Sequence, residues 1–316
     1  MIRIRPNATI AFVVLAFGLA WIVALPLWLN DGLANPLAGA LIPVMMFTPA
    51  LAVLIVMSVL RPVPQGERLR FLGMWPLRPA KRVVWMTVLG LFAPIVVVAA
   101  SVTVAALFGW VRLDLVEFSG FVQQLEASMP AGVPAPPAIV VILAQLLAMP
   151  VAAATINAAL AFGEELGWRG FLVPALRQYG TWPALLISGA LWGLWHSPVI
   201  LLGYNFGVTD ITGVLLMTAG CVAWGVLLGW LRLRSASLWP AVFAHGALNA
   251  SAGMILWSYA AGTSVDMALA GPLGVAGWIT CAIVVVVLLV TGQFSRQPEL
   301  DGSVGRMLSA PRQIIE

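Results

Sequence analysis

The sequence predicts an all-α, polytopic membrane protein of about eight transmembrane helices. Three observations carry that prediction. Of 316 residues, 61% are hydrophobic and only 9% charged, whereas soluble domains carry about 25% charged residues. Eight apolar runs approach or exceed the roughly 20 residues that cross a bilayer. The charged residues lie mostly between the runs, and their sign alternates from one connection to the next.

In chain order the runs cover residues 8–29, 37–60, 83–108, 138–163, 183–202, 212–231, 238–258 and 272–292. The first follows Met1–Pro6 and is longer than the apolar part of a signal peptide. No small-x-small site closes it before Asn30-Asp31, so it reads as a retained helix. Pro and Gly interrupt several runs, which membrane helices tolerate. The 14 tryptophans include many near run ends, where amphipathic rings sit at headgroup level.

Between the runs, one set of connections holds the basic residues. These are Arg3, Arg5, Arg61, Arg68, Arg70, Arg78, Lys81, Arg82, Arg169, Arg177, Arg232, Arg234, Arg296, Arg306 and Arg312. The alternate set holds Arg112 together with Asp31, Asp114, Glu117, Glu126, Asp210 and Asp266. By the positive-inside rule both termini face the cytoplasm; the high Arg-to-Lys ratio suggests a bacterial genome, and hence a bacterial inner (plasma) membrane. The net charge of +4 is thus a topology signal, with membrane lipid as the partner and no nucleic acid implied. The connection 61–82 is expected to lie on the anionic inner leaflet. In the connection 109–136, residues 113–126 suggest a short amphipathic helix before the breakers Pro130 to Pro137. Cys221 and Cys281 lack metal or redox spacing and read as small apolar helix residues.

One membrane domain is expected, in three stretches: N-terminal helices and loops over 1–137, a core over 138–258, and a last helix with a polar cytoplasmic tail over 259–316. The core stretch holds the unusual residues. An ionisable group in hydrocarbon costs about 2.5–3.5 kcal/mol or more, so it persists where it pairs or does chemistry. Glu164, Glu165 and Arg169 end one run, while His196 and His245, the chain's two histidines, lie inside others.

Glu165 and Arg169 are spaced i,i+4 with the acid first, the favourable order for an ion pair. Glu164 is rotated by about 100° on the helix, which leaves it available as a general base. Trp192 lies one turn before His196, and Pro198 removes a backbone bond beside the imidazole. His245 and Asn249 share a helix face, and two converging donors are the ingredients of an oxyanion hole. The bland reading of each pair is an interfacial cap or interhelical packing.

The order EExxxR, then aromatic-xxx-His, then HxxxN resembles the CPBP family of intramembrane proteases. That family includes the type II CAAX prenyl endopeptidases, the lysostaphin-resistance-protein-A-like proteins and bacteriocin-processing or immunity relatives. The likeness covers roughly residues 140–255, and departs where Trp192 stands in place of the usual Phe. It implies a CAAX-protease-like helical bundle and an intramembrane endopeptidase. Glu164 and His196 would activate water, His245 and Asn249 would hold the oxyanion, and Glu165 and Arg169 would support them. The substrate would be a peptide or protein, prenylated or otherwise membrane-associated. The favoured chemistry uses no metal or other cofactor; a zinc alternative would take Glu164, His196 and His245. The competing classes are a non-catalytic membrane immunity or scaffold protein and an ion-coupled transporter, the latter disfavoured because no paired repeat is visible.

Hydropathy leaves a depth mismatch. At ~1.5 Å per residue His196 lies ~20 Å from the inner end of its run, but His245 only ~10 Å. The run bearing Glu164 is therefore expected to extend further than hydropathy suggests. The helix at Trp182-Pro183 is expected to start outside the hydrocarbon, with Arg169 and Arg177 on a surface connector. The cavity is expected to open toward the cytoplasm or inner leaflet.

Overall fold

Chain in hydrocarbon must satisfy its backbone internally, and a charge-free apolar run does so as a helix. The computed structural model describes residues 2–295, and in it every apolar run is helical. The principal helices are α1 (Pro6–Leu29), α2 (Ala38–Met45), α3 (Thr48–Val59), α4 (Ala80–Leu107), α5 (Ser119–Ser128), α6 (Ala138–Tyr179), α7 (Thr181–Trp195), α8 (Ile211–Ser235), α9 (Trp239–Ser251) and α10 (Val275–Val290). The polar tail with Arg296, Arg306 and Arg312 lies outside the described residues.

Among the described residues, six stretches are long and apolar enough to span a membrane: α1, the α2–α3 unit Ala38–Val59, α4, α6, α8 and Met267–Val290. Of the two shorter ones, α7 has 15 residues and ends at its cap His196, and α9 has 13 and contains His245. α7 stops at Trp195, before Pro198. α9 begins at Trp239 and ends ahead of Ala252-Gly253.

α6 resolves half of the depth mismatch. It runs 42 residues, to Tyr179, longer than hydropathy indicates. Two stretches of wider π-type winding interrupt it, Ala153–Asn157 and Leu166–Leu172. Such winding often marks functional sites, and the second stretch begins directly after Glu165.

α9 resolves the other half by starting deep. A Cβ at Gly90 of α4 would meet the Pro240 carbonyl oxygen at 2.5 Å. Gly90 lies ten residues into α4, ~15 Å above its start, so α9 begins at that height. His245 and His196 then reach a common level.

The connection between α3 and α4 fills the space beneath α9. Phe71 and Leu72 are buried there, although Leu69 and Trp75 remain exposed. Gly73 accepts from the Leu238 amide at 2.8 Å, and Met74 accepts from the Trp239 indole at 3.2 Å. The backbone carbonyls of this segment cap the start of α9. Gly73 has φ +74, and an added Cβ would lie 2.6 Å from Cζ of Arg232.

At the opposite end, Asp114 gathers the amides of Val116, Glu117 and Ser119 at 2.9–3.2 Å. These bonds, with one to the Ser119 hydroxyl first among them, hold its carboxyl well below the usual carboxylate range. That turn delays the amphipathic helix, which runs over Ser119–Ser128 instead of 113–126. Cys221 and Cys281 are buried free thiols within helices, as small apolar residues would be.

Candidate active site

Glu164 and Glu165 sit where α6 passes from ordinary to π winding. Both are buried, at 2% and 0% exposure, as is Arg169 at 1%. Arg169 therefore belongs to the core, and its expected place on a surface connector is corrected. Its burial is matched by an ion pair with the Glu165 carboxylate at 2.8 Å.

Glu165 accepts two hydrogen bonds on Oε1, from Nη1 of Arg169 at 2.8 Å and from Nδ1 of His245 at 2.9 Å. It links α6 to α9 as well as pairing along its own helix. The guanidinium of Arg169 also lies 4.2 Å from the ring centre of Trp192, a cation–π contact. Trp192 in turn donates from its indole nitrogen to Oε2 of Glu164 at 2.6 Å. Its ring meets that of His245 edge-on at 5.2 Å. Five side chains from three helices thus form one connected unit.

His196 caps the end of α7 and pairs its Nδ1 with the Trp192 carbonyl at 2.9 Å. A carbonyl only accepts, so this Nδ1 carries the hydrogen, and in the neutral ring Nε2 keeps its lone pair. The same argument applies to His245 against the Glu165 carboxylate. A neutral His245 therefore has no free N–H at Nε2; it donates there as imidazolium. Asn249 has an amide donor in every protonation state.

Glu164, His196, His245 and Asn249 all line one cavity of about 560 Å³. Its remaining wall is mostly apolar, with Ile42, Met45, Met46, Leu160 and Val199 among the lining side chains. Glu165 and Arg169 are absent from that lining and lie behind it. Among the described residues, no three His, Cys, Asp or Glu side chains are grouped closely enough to hold a metal ion.

Sequence reasoning missed three parts of the site. Trp192 counts there only as an aromatic replacement for Phe, yet its N–H holds Glu164. Asn157 also lines the cavity; its signal is an amide side chain in an apolar run, seven residues before Glu164. Tyr204 and Asn205 join the lining from the loop after α7, and no local pattern marks them.

Residues 136–251 match the family model described as type II CAAX prenyl endopeptidase, Rce1-like. This stretch is Rce1-like. It contains all six residues of the EExxxR, xxxH and HxxxN motifs. CAAX prenyl protease 2 of Methanococcus maripaludis is 29% identical over 92 residues, covering 27% of this chain and 34% of that relative. The match covers about a third of that relative's length.

Proposed function

We propose that the chain is an intramembrane endopeptidase that hydrolyses a peptide bond with a water activated by Glu164 and His196. The observation that carries the reading is the convergence of Glu164, His196, His245 and Asn249 on one cavity, backed by buried Glu165 and Arg169. The Rce1-like match over 136–251 supports the same class of chemistry.

In this mechanism the water gives a proton to Glu164 as its oxygen bonds to the scissile carbonyl carbon. His196 accepts the second hydrogen of that water at Nε2 and fixes its direction. The carbonyl oxygen becomes an oxyanion facing Asn249 and, in its imidazolium form, His245. Collapse breaks the C–N bond, and Glu164 returns its proton to the leaving amine. A general base contributes about 10²–10⁴-fold and one oxyanion donor about 10²–10³-fold. Trp192 leaves Oε1 of Glu164 free for the water. Arg169 and Glu165 act through others and are positioning residues.

The apolar cavity wall favours a substrate with an apolar or prenylated segment beside the scissile bond. The distribution of arginines favours both termini in the cytoplasm, and the high Arg-to-Lys ratio favours a bacterial inner membrane.

The test is cleavage of a library of C-terminal peptides, prenylated and unprenylated, by purified protein in lipid nanodiscs. Products are read by mass spectrometry beside Glu164→Gln, with and without a chelator. Cleavage by wild type that is lost in Glu164→Gln and kept with chelator is expected. Absence of cleavage by folded protein would favour the immunity or scaffold reading, and cleavage lost with chelator would restore the zinc alternative.

A further inference from the structure

We propose that Tyr204 is a further substrate-contacting residue of this site: its hydroxyl donates a hydrogen bond to a main-chain carbonyl of the bound peptide, next to the carbonyl under attack. The contact itself needs only a bound peptide; which carbonyl is attacked rests on the endopeptidase reading.

The loop after α7 is built to hold this side chain in place. Gly203, Asn205 and Gly207 all have left-handed backbones, with φ of +96, +69 and +70, a region open to glycine and tolerated by asparagine. The turns they make are closed by hydrogen bonds. The Gly203 amide donates to the Ile200 carbonyl at 2.8 Å, and the Tyr204 amide to Val199 at 3.1 Å. The Phe206 amide donates to Tyr204 at 2.9 Å, and the Gly207 amide to Gly203 at 2.9 Å. Asn205 reaches across to Sδ of Met217 on α8 at 3.7 Å. The Tyr204 ring packs against the core and lines the same cavity as Glu164 and Asn249.

The hydroxyl is the part without an internal role. Among the described residues, none hydrogen-bonds to it, whereas the Tyr259 hydroxyl donates to the Gly120 carbonyl at 3.1 Å. Tyr204 lies outside the six spanning stretches. Burial, and then the Glu164 carboxylate, push its phenol above the ordinary tyrosine value. It therefore stays protonated and serves as a donor. A peptide carbonyl is the neutral acceptor that any substrate brings. The scissile oxygen faces Asn249 and His245, so Tyr204 takes a neighbouring carbonyl, about 3.3–3.6 Å along an extended chain. Such a bond forms equally in the ground and transition states, and is felt in KM rather than in kcat.

The experiment uses the Glu164→Gln protein in nanodiscs, which binds without turnover, with 3-fluorotyrosine in place of tyrosine. The chain has three tyrosines, Tyr179, Tyr204 and Tyr259, so Tyr179→Phe and Tyr259→Phe assign the Tyr204 ¹⁹F resonance by elimination. The probe is the library of C-terminal peptides, prenylated and unprenylated. Peptides that bind should shift the Tyr204 resonance and leave that of exposed Tyr179 in place. Adding Tyr204→Phe should weaken their binding about five- to ten-fold, the loss of one hydrogen bond. In the active enzyme Tyr204→Phe should raise KM by the same factor and leave kcat within about two-fold. A Tyr204 resonance that no peptide moves overturns the proposal, and so does unchanged affinity in Tyr204→Phe. A loss of kcat at unchanged KM also overturns it, because the hydroxyl would then serve the oxyanion. The ¹⁹F shift is read on the native tyrosine, so it decides even where Tyr204→Phe melts early. Tyr204-dependent binding without Glu164-dependent cleavage would sink the peptidase reading and leave the contact standing. Glu164-dependent cleavage with KM unchanged in Tyr204→Phe would sink the contact alone.

Discussion

Arg169 and Arg232 are both buried to within 1% of complete, yet they are held in opposite ways. Arg169 has a carboxylate at 2.8 Å and an aromatic face at 4.2 Å. Arg232 has only carbonyl oxygens, from Arg169 itself and from Phe71. The first belongs to a charge cluster facing a cavity. The second ties a folded-in connection to the π-wound stretch of α6. A buried charge alone therefore does not mark chemistry. What marks it here is the partner, together with a cavity on the other side of that partner.

The largest test of this contrast removes the base itself. Glu164→Gln should lower kcat by about 10²–10⁴-fold with thermal stability nearly unchanged, measured by peptide cleavage and by melting in detergent. Next comes Arg169→Met, which removes one partner of a buried pair. It should cost about 3–5 kcal/mol of stability and lower activity as well. Arg232→Met should cost less, about 1–3 kcal/mol, and leave kcat per folded molecule close to wild type. Equal loss of kcat in the two arginine variants would erase the distinction between them.

Trp192→Phe sharpens the comparison further. It keeps a ring for Arg169 and removes only the hydrogen bond to Glu164. A kcat loss of about ten-fold, equivalent to ~1.4 kcal/mol, is expected with little change in KM; Trp192→Ala should lose more stability. An unchanged kcat and pH profile in Trp192→Phe would mean that the indole N–H does not orient Glu164.

Much of this was legible in the sequence. The apolar runs gave the bundle, because hydrocarbon leaves the backbone few alternatives. The spacing of Glu165 to Arg169 gave a pair that forms, and the three motifs name side chains that meet at one cavity. The deep start of α9 was not legible, since the carbonyls that cap it come from Gly73 and Met74, some 165 residues away. Hydropathy could not distinguish Arg232 from a loop cation, because its burial depends on that same distant segment. The bond from His245 to Glu165 spans 80 residues and changes which ring nitrogen faces the cavity.

The smallest expected effect contrasts a charge in water with those in the core. Asp114 is depressed by the Ser119 hydroxyl and by amides of Glu117, Ser119 and Val116. Its folded value lies below the unfolded one, about 3.9. Its contribution is therefore present above that pH and lost as pH falls through the lower, folded value. Asp114→Asn should speed amide exchange at Val116, Glu117 and Ser119 at neutral pH, with no change in cleavage. Unchanged exchange would show that the turn holds without the charge.

The central claim is direct attack of a Glu164-activated water on a peptide carbonyl within the cavity. Its most direct test is a single turnover in ¹⁸O-labelled water, using a peptide that the library returns, with both product and enzyme analysed by mass spectrometry. The account predicts one ¹⁸O atom in the new carboxyl group of the product, none on Glu164, and no product from Glu164→Gln. Label appearing first on the Glu164 carboxyl group, or equal cleavage by Glu164→Gln, would contradict it.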